Sequence, residues 1–516
     1  MSALWDQLSP QVVSQYETVI GLEVHSQISS SAKLFSSSGT QYQSSPNTQV
    51  SVFDGSLPGT LPVLNRRCLE SAIKTALALN CHVWKRSLFD RKHYFYADMP
   101  AGYQITQQRH PLATDGYIDF IVSAGQQSAA YMKRSKLKQI QLEQDSGKSL
   151  QDITNNRSLV DLNRAGIGLM EFVFEPDLSS AAEAVSLIKE LILILKTLRT
   201  CTCKMEEGVL RVDANISVRK ADEPLGVRTE VKNLNSFRFL QSAIEYEMQR
   251  QICVIESGGH VVNETRMYDM KLKQTVAMRD KEVVQDYRFM PEPNLPPILL
   301  RDDNDSTIDL INISDFEREV SGKQLPNQLR DHLLTTYGLN LDQIFQLMNE
   351  KGMTDVFIQI ANYSQTKQFD TIFTFMNTEL KTQLQELKQN FESCSVDLKT
   401  VAQIIDSLIN EQISSRIANQ LLSLYFQNEK RSPDRVIDEN DWKIITNPDI
   451  IEKSCLSTIE SIPKIARKYA KSGVRKRQSL LIENVMTLLN NRVNESDVWL
   501  QYDRLLRKDI KIANNS

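Results

Sequence analysis

The stretch TVIGLEVHSQI, Thr18–Ile28, decides how this chain reads. Side chains alternate along a strand. Val19, Gly21, Glu23, His25 and Gln27 therefore share one face, and Ile20, Leu22, Val24 and Ile28 share the other. Glu23 and His25 then stand side by side, roughly 7 Å apart. The apolar face calls for cover. The face with a carboxylate and an imidazole has two readings: a solvated outer surface, or a site for a metal or a phosphate group.

Working outward, other stretches repeat the pattern. In RVDANISVR (211–219), Val212, Ala214, Ile216 and Val218 oppose Arg211, Asp213, Asn215, Ser217 and Arg219. In GVRTEVKN (226–233), Glu230 and Lys232 share a face with Arg228. QLEQDSGKSL (141–150) gathers Glu143, Asp145 and Lys148 around a glycine. If these stretches are neighbours, Glu23, His25, Glu143, Asp213 and Glu230 converge. Hard cations such as Mg²⁺ take oxygen ligands, and Lys or Arg beside them suits phosphate oxygens. A charged strand face is ordinarily just solvated. Three strands of one character weaken that reading without removing it.

The bulk properties narrow the field. A chain of 516 residues is too long for one hydrophobic core and predicts two to four domains. With 41% hydrophobic and 24% charged residues it has the composition of a globular protein. A net charge of -4 means that any nucleic-acid role needs a local basic patch. The seven cysteines are scattered and odd in number, which fits reduced thiols rather than a disulfide scaffold. No apolar run reaches the ~18 residues of a membrane span; LILILKTL (191–198) is short and carries a lysine. The N-terminus has neither an apolar signal core nor the arginines of a transit peptide. There is no G-x-x-x-x-G-K-[ST], no G-x-G-x-x-G and no G-x-S-x-G nucleophile elbow.

Along the chain, residues 18 to about 300 mix strand-like and helical runs. YIDFIVSA (117–124) reads as a strand, and SAAEAVSLIKELILILKTLR (180–199) as a helix capped by Ser180 or Ser179. SLPGTLP (56–62) and MPEPNLPP (290–297) read as turns, the second as a domain exit. Beyond about 303 helical spacing takes over, as in Val401, Ile404, Ile405, Leu408 and Ile409, then Ile413, Ile417, Leu421 and Leu424. SPDR (432–435) interrupts it and reads as the start of a loop. The fold class is α+β: an α+β domain over 1–302, followed by helical sequence from 303 on.

Eight motifs in order make the chain recognisable: YETVIGLEVHSQ, PNTQV, LPGTLPVLN, FDRKHYFYADMPAGYQITQ, SLVDLNRAGIGLMEFVFEPDL, KMEEGVLRVDANISVR, EVKNLNSFRFLQSAIEYE and DYRFMPEPNLPP. Together they resemble the B subunit family of the glutamyl-tRNA(Gln)/aspartyl-tRNA(Asn) amidotransferases. SGVRKRQSLLIENVMTLLNNRVNESDV (472–498) resembles a diverged form of the family's C-terminal tail. The resemblance implies a cradle-like α+β catalytic domain over 1–302, a helical domain over 303–395 and a helical C-terminal tail domain over 396–516 that grips tRNA. It implies a ligase that binds misacylated Glu-tRNA(Gln) and uses ATP and Mg²⁺ to phosphorylate the glutamyl γ-carboxylate. Ammonia from a partner amidase (A) subunit then displaces the phosphate, and a small accessory subunit completes the complex. Carried across by motif, Glu23, His25, Asp213 and Glu230 are metal ligands and catalytic residues, with Glu143 a further candidate. Arg91, Lys92 and Lys232 are candidate phosphate contacts.

Two departures stand out. Where the family pattern has two adjacent glutamates, this chain has Glu143 and Gln144, so the ligand there is either the Glu143 carboxylate or the Gln144 amide oxygen. Where many members carry two cysteine pairs, this chain has Ser36, Ser38, Ser51 and Asp54, which cannot make a Cys₄ zinc site, so no zinc is expected. With the Asn/Gln/Ser-rich helical part, these point to an organellar, fungal-type member in the mitochondrial matrix, the alternative being a bacterial cytoplasm. In the tail, KIARKYAKSGVRKRQ (464–478) holds Lys464, Arg467, Lys468, Lys471, Arg475, Lys476 and Arg477 and no acid. It reads either as a solvated surface or as a phosphate-neutralising tRNA contact; the resemblance favours the second. Two rivals are a non-catalytic tRNA scaffold, kept open by Gln144, and a stand-alone metal-dependent nucleotide hydrolase, disfavoured by the basic tail.

Overall fold

In the computed structural model the opening stretch lies within a twelve-residue strand, β1 (Tyr16–Gln27), with Ile20, Leu22 and Val24 fully buried. The structure describes residues 9–123, 129–278, 287–302, 310–466 and 475–513. β1 lies in the middle of a nine-stranded sheet. The other strands are β2 (His82–Val83), β3 (Ala113–Val122), β4 (Tyr131–Gln144), β5 (Gly168–Phe174), β6 (Leu210–Lys220), β7 (Thr229–Leu234), β8 (Thr265–Asp269) and β9 (Gln274–Ala277). Their spatial order is β9-β8-β7-β6-β1-β5-β4-β3-β2. All pairs are antiparallel except β7 with β8.

One face of this sheet is covered by helices, which explains the strict alternation on β1 and β6. Helix α1 (Arg66–Ala78), helix α2 (Ala181–Leu198) and helix α3 (Phe237–Glu256) share one apolar core with Ile20, Leu22, Val24, Ile140, Leu142, Phe172, Val212, Ala214 and Ile216. The apolar run of α2 is therefore a core helix. Ser180 is its N-cap and accepts from the Glu183 backbone, while Ser179 donates through its N–H and hydroxyl to the Glu183 carboxylate. Both predicted caps are used, because a capping carboxylate three residues into the helix needs its own donor.

A smaller antiparallel sheet, formed by Met290–Pro291, Asp90–His93 and Tyr103–Thr106, belongs to the same unit. Past the predicted turn at 290–297, strand Ile298–Arg301 pairs back onto Arg86–Ser87, and this first unit runs from Met1 to His332. The second unit, Leu333–Ser516, is helical in its described residues. Its helices Leu398–Ile409 and Ser415–Phe426 bury Val401, Ile404, Ile405, Ile417 and Leu421. A separate cluster of Cys455, Leu481, Val485, Val493, Val498 and Tyr502 holds the helices Pro448–Ser461, Arg475–Leu488 and Glu495–Ala513 together. SPDR is a helix start rather than a loop. Ser432 is the N-cap and Pro433 the first residue of Pro433–Glu439, where a missing N–H costs nothing. Among the described residues no helix is long and apolar enough to cross a membrane.

Candidate metal and phosphate site

The face of the sheet opposite the helices collects the charged side chains, and strand register dictates how. Across β1 and β6, Glu23 faces Asp213 and His25 faces Arg211. On the other flank His25 faces Glu171 of β5. Glu171 then faces Gln141 of β4, with Glu143 two residues along. Beyond β6, Asn215 faces Glu230 of β7, and Lys232 follows on the same side. Every one of these residues keeps the two-residue period, so five neighbouring strands present one polar stripe.

The tightest part is centred on His25. Its Nε2 lies 3.3 Å from Glu143 Oε1 and 3.7 Å from Glu171 Oε1. One ligand atom from each of the three lies within 4.8 Å of the others, and among the described residues only this trio gathers potential ligand atoms so closely. Glu143 is buried and also accepts from the Thr106 hydroxyl at 3.4 Å, while Glu171 accepts from the Gln141 amide. Burial opposes charge on His25, but its hydrogen bond to Glu143 and the nearby Glu171 and Asp213 carboxylates outweigh it and raise it to about 9. Burial also opposes charge on Glu143, yet the bond to His25 pulls it below the usual carboxylate range. Glu171 goes the other way, pushed up by burial and by the Glu143 charge. Side by side, buried Glu143 is pulled toward its charged form and half-buried Glu171 toward its protonated form.

The second part lies toward β7. Glu23 accepts from the Asn215 amide at 3.1 Å. The register slips between Val212 and Ala214, and there Asp213 accepts the Asn233 backbone N–H at 2.8 Å. Glu230 accepts from Thr265 at 3.2 Å and lies 3.4 Å from the Lys232 ammonium. Burial raises Glu230, with Lys232 opposing and the Asp213 and Glu23 charges adding to it, which places those three carboxylates within electrostatic reach of one another.

The predicted cations separate. Lys92 lies 4.7 Å from the Tyr287 ring centre, and its charge favours the charged forms of Glu143 and Glu171. Arg91, on the opposite face of the same strand, makes a two-pronged pair with the buried Glu292 at 2.6 and 3.1 Å and stacks 4.2 Å over Tyr103. In this arrangement it clamps the small sheet, its guanidinium taken up by Glu292 and Tyr103. Arg211 points into the stripe and pairs with buried Asp145 at 2.8 Å, which Gln27 also holds at 3.0 Å. Between the two candidate ligands in QLEQDSGK the strand decides. Glu143 faces His25, whereas Gln144 points the other way and accepts from the Ile105 N–H at 3.2 Å. The positions Ser36, Ser51 and Asp54 are tied together without cysteine. Ser36 and the Ser51 N–H donate to Asp54, which meets the fully buried Lys33 ammonium at 3.2 Å.

Sequence reasoning missed Glu171 and Arg211. The signal for Glu171 was a single carboxylate inside the apolar run GLMEFVF, 168–174. Of the tail residues, Lys464 is exposed. Arg467, Lys468 and Lys471 fall outside the described residues. Arg475, Lys476 and Arg477 begin the helix Arg475–Leu488, their side chains outside the description.

Comparison with known proteins is consistent along the length of the chain. Residues 18–305 match the family model described as the GatB/GatE catalytic domain, and residues 355–500 match that of the GatB domain. The chain is 47% identical over 496 residues to the B subunit of the mitochondrial glutamyl-tRNA(Gln) amidotransferase of Drosophila melanogaster, covering 96% of this chain and 95% of that protein. It is 48% identical over 504 residues to the corresponding mitochondrial protein of Homo sapiens, covering 96% and 89%. It is 38% identical over 480 residues to the B subunit of the aspartyl/glutamyl-tRNA(Asn/Gln) amidotransferase of Rickettsia canadensis, covering 93% and 95%.

Proposed function

The chain belongs to the B subunit family of the glutamyl-tRNA(Gln) amidotransferases, and on that premise we propose that its polar stripe is where misacylated Glu-tRNA(Gln) is converted to Gln-tRNA(Gln). The observation that carries this reading is the His25–Glu143–Glu171 trio set beside Glu23, Asp213 and Glu230 on one sheet face.

A carboxylate cannot be amidated directly, because its leaving group would be oxide. In the proposed sequence a γ-carboxylate oxygen attacks the γ-phosphoryl of ATP and ADP leaves. Ammonia then attacks the acyl carbon and phosphate leaves. Phosphoryl transfer asks the protein chiefly for positioning and charge neutralisation. Lys92 on one flank and Lys232 on the other supply fixed positive charge for phosphate oxygens. Arg211, anchored by Asp145, adds a third cation at the centre of the stripe.

The donor set fits a divalent cation. One imidazole and two carboxylates come from three adjacent strands, and Glu23, Asp213 and Glu230 supply further oxygens. Mg²⁺ bound there would neutralise phosphate charge. To ligate it, His25 must release the proton that the cluster otherwise stabilises on it, and Glu171 must release its own. Gln144, which kept a scaffold reading open, accepts from the Ile105 N–H off the stripe, and this supports the catalytic reading over the scaffold one.

We further propose that the chain works in mitochondria, with an amidase subunit and an accessory subunit, and that the basic segment from Lys464 to Arg477 contacts tRNA backbone. The test is ATP hydrolysis by the chain in complex with its amidase partner, with and without Glu-tRNA(Gln) and Mg²⁺, scoring product tRNA for Gln. ATP use that needs charged tRNA and accompanies Gln-tRNA formation is the expected result. Binding of tRNA without ATP use would overturn the catalytic reading and leave a scaffold.

A further inference from the structure

Beside the carboxylates stands a wall of aromatic side chains that the reaction above leaves without a role. It is built on the hairpin of strands Asp90–His93 and Tyr103–Thr106 and the loop 94–102 between them. Tyr94 is at its base. Its hydroxyl donates to the Gln104 amide oxygen at 3.4 Å, and the Gln104 amide in turn donates to the Gln144 carbonyl at 2.6 Å, one residue from Glu143. Edge contacts run from Tyr94 to Tyr96 at 5.7 Å and to Tyr287 at 6.3 Å. Cations are interleaved: Lys92 lies 4.7 Å from the Tyr287 ring centre, and Arg91 over Tyr103.

At the tip the pattern changes. Phe95 is 89% exposed and Tyr96 58% exposed. The Phe95 ring is backed by Gly102, where a Cβ would come within 3.1 Å of it, and Gly102 holds a φ of +73° that favours glycine. The loop is pinned by Tyr94 N–H to Gly102 O at 3.1 Å, Met99 N–H to Tyr96 O at 3.0 Å and Gly102 N–H to Met99 O at 2.9 Å. A large apolar ring is thus held by an ordered turn, with glycine behind it and water in front.

We propose that Phe95, with Tyr96 beside it, is a stacking platform for an adenine ring. The inference rests on the transamidation reading for its choice of ligand. A glutamyl group under attack is esterified to the ribose of the terminal adenosine of tRNA, so that adenine lies within one nucleotide of the reacting carboxyl. ATP brings the other adenine to the same place. Stacking needs only a π-face, and cations interleaved with aromatic rings beside a phosphate site are the usual makings of such a platform. The Lys92 ammonium among these rings suits a ligand that joins an aromatic base to phosphate.

The experiment is a binding cycle on the whole complex. Affinity is measured for tRNA(Gln) with and without its terminal adenosine, and for ATP against inorganic triphosphate, in the unaltered complex and in Phe95→Ala. In the unaltered complex, loss of adenine weakens one of these ligands about tenfold, the scale of one stacked base. In Phe95→Ala the intact ligand is weakened by the same factor, removing adenine costs nothing further, and Phe95→Trp restores the difference. An effect in the tRNA arm assigns the platform to the terminal adenosine, and one in the ATP arm to the nucleotide. The proposal is overturned if adenine removal has no effect in the unaltered complex. It is equally overturned if the two losses add in full, or if Phe95→Ala releases the amidase partner and so marks a protein contact. Because binding is read without turnover, a complex that stacks adenine yet forms no Gln-tRNA would sink the transamidation reading alone.

Discussion

The two halves of the polar stripe use the same residue types on the same sheet face, yet they are built differently. Around His25 the charged groups satisfy one another: imidazole against two carboxylates, with two protons too many for metal binding. Toward β7 each carboxylate has its own neutral donor, Asn215 for Glu23, the Asn233 N–H for Asp213 and Thr265 for Glu230. On the proposed reading the first half would change its protonation when a cation enters, whereas the second is already oriented and would have only to share its lone pairs. A site assembled this way has one half that responds to pH and one that sets geometry.

The sharpest way to break the comparison is to remove a member of the trio. Glu143→Gln and Glu171→Gln each leave His25 without one of its carboxylates. We expect each to lower Gln-tRNA formation by roughly 10³-fold, the scale on which single charge-stabilising groups act. The affinity for tRNA should stay within about twofold. A Glu171→Gln complex that turns over normally would reduce the trio to a structural ion cluster. In the other half, Glu23→Gln keeps the shape and the acceptor for Asn215 but removes the charge. Its expected loss is smaller, about a hundredfold, again with tRNA binding near normal. If Glu23→Gln proved the more damaging, the halves would have to exchange roles.

Acidity offers a milder probe. His25 is raised in the folded chain to about 9 from an ordinary 6.5. Its contribution to stability is present in full below pH 6.5 and is lost as pH climbs through about 9. Glu171 is raised as well, so it too loses its contribution as pH rises. Glu143 is depressed, and its contribution fails only under strong acid. Without metal the melting temperature should therefore fall between pH 6.5 and 9. Mg²⁺ needs both protons gone, so its stabilising effect should grow across the same window. Melting curves with Mg²⁺ or with chelator at pH 6.5 and 9 check this. A Mg²⁺ effect independent of pH would place the ion in the Glu23 half alone.

How much of this was legible in the sequence follows from what is local and what is not. The faces of β1 and β6 could be read because period two is a property of the strand itself, and α2 because its cap and apolar stripe lie within twenty residues. The strands β4 and β5 could not be read so. Tyr131–Gln144 has lysines and glutamines on its outward half, and Gly168–Phe174 is an almost unbroken apolar run. Neither alternates clearly. Only the strand order, with β5 between β1 and β4, puts Glu171 opposite His25. That order is a long-range outcome of packing, and so the most telling residue of the trio was the one left out.

The same contrast can be sharpened at the smallest scale, between two neighbours that sequence reading treated alike. Arg91 and Lys92 sit on opposite faces of one short strand. Arg91 grips Glu292 with two parallel bonds and stacks on Tyr103, whereas Lys92 lends its charge to Glu143 and Glu171. Lys92→Met removes charge from the phosphate side and should lower kcat/KM about tenfold without moving the melting temperature. Arg91→Lys keeps the charge but cannot reproduce the planar fork, leaving buried Glu292 half-satisfied. It should cost ~1–3 kcal/mol of stability and leave kcat/KM nearly unchanged once the protein is folded. Steady-state kinetics and denaturation on the two variants separate the roles. If Arg91→Lys lowered activity and spared stability, the clamp would have to open toward the substrate, and the division of labour along this strand would be the reverse of the one drawn from its geometry.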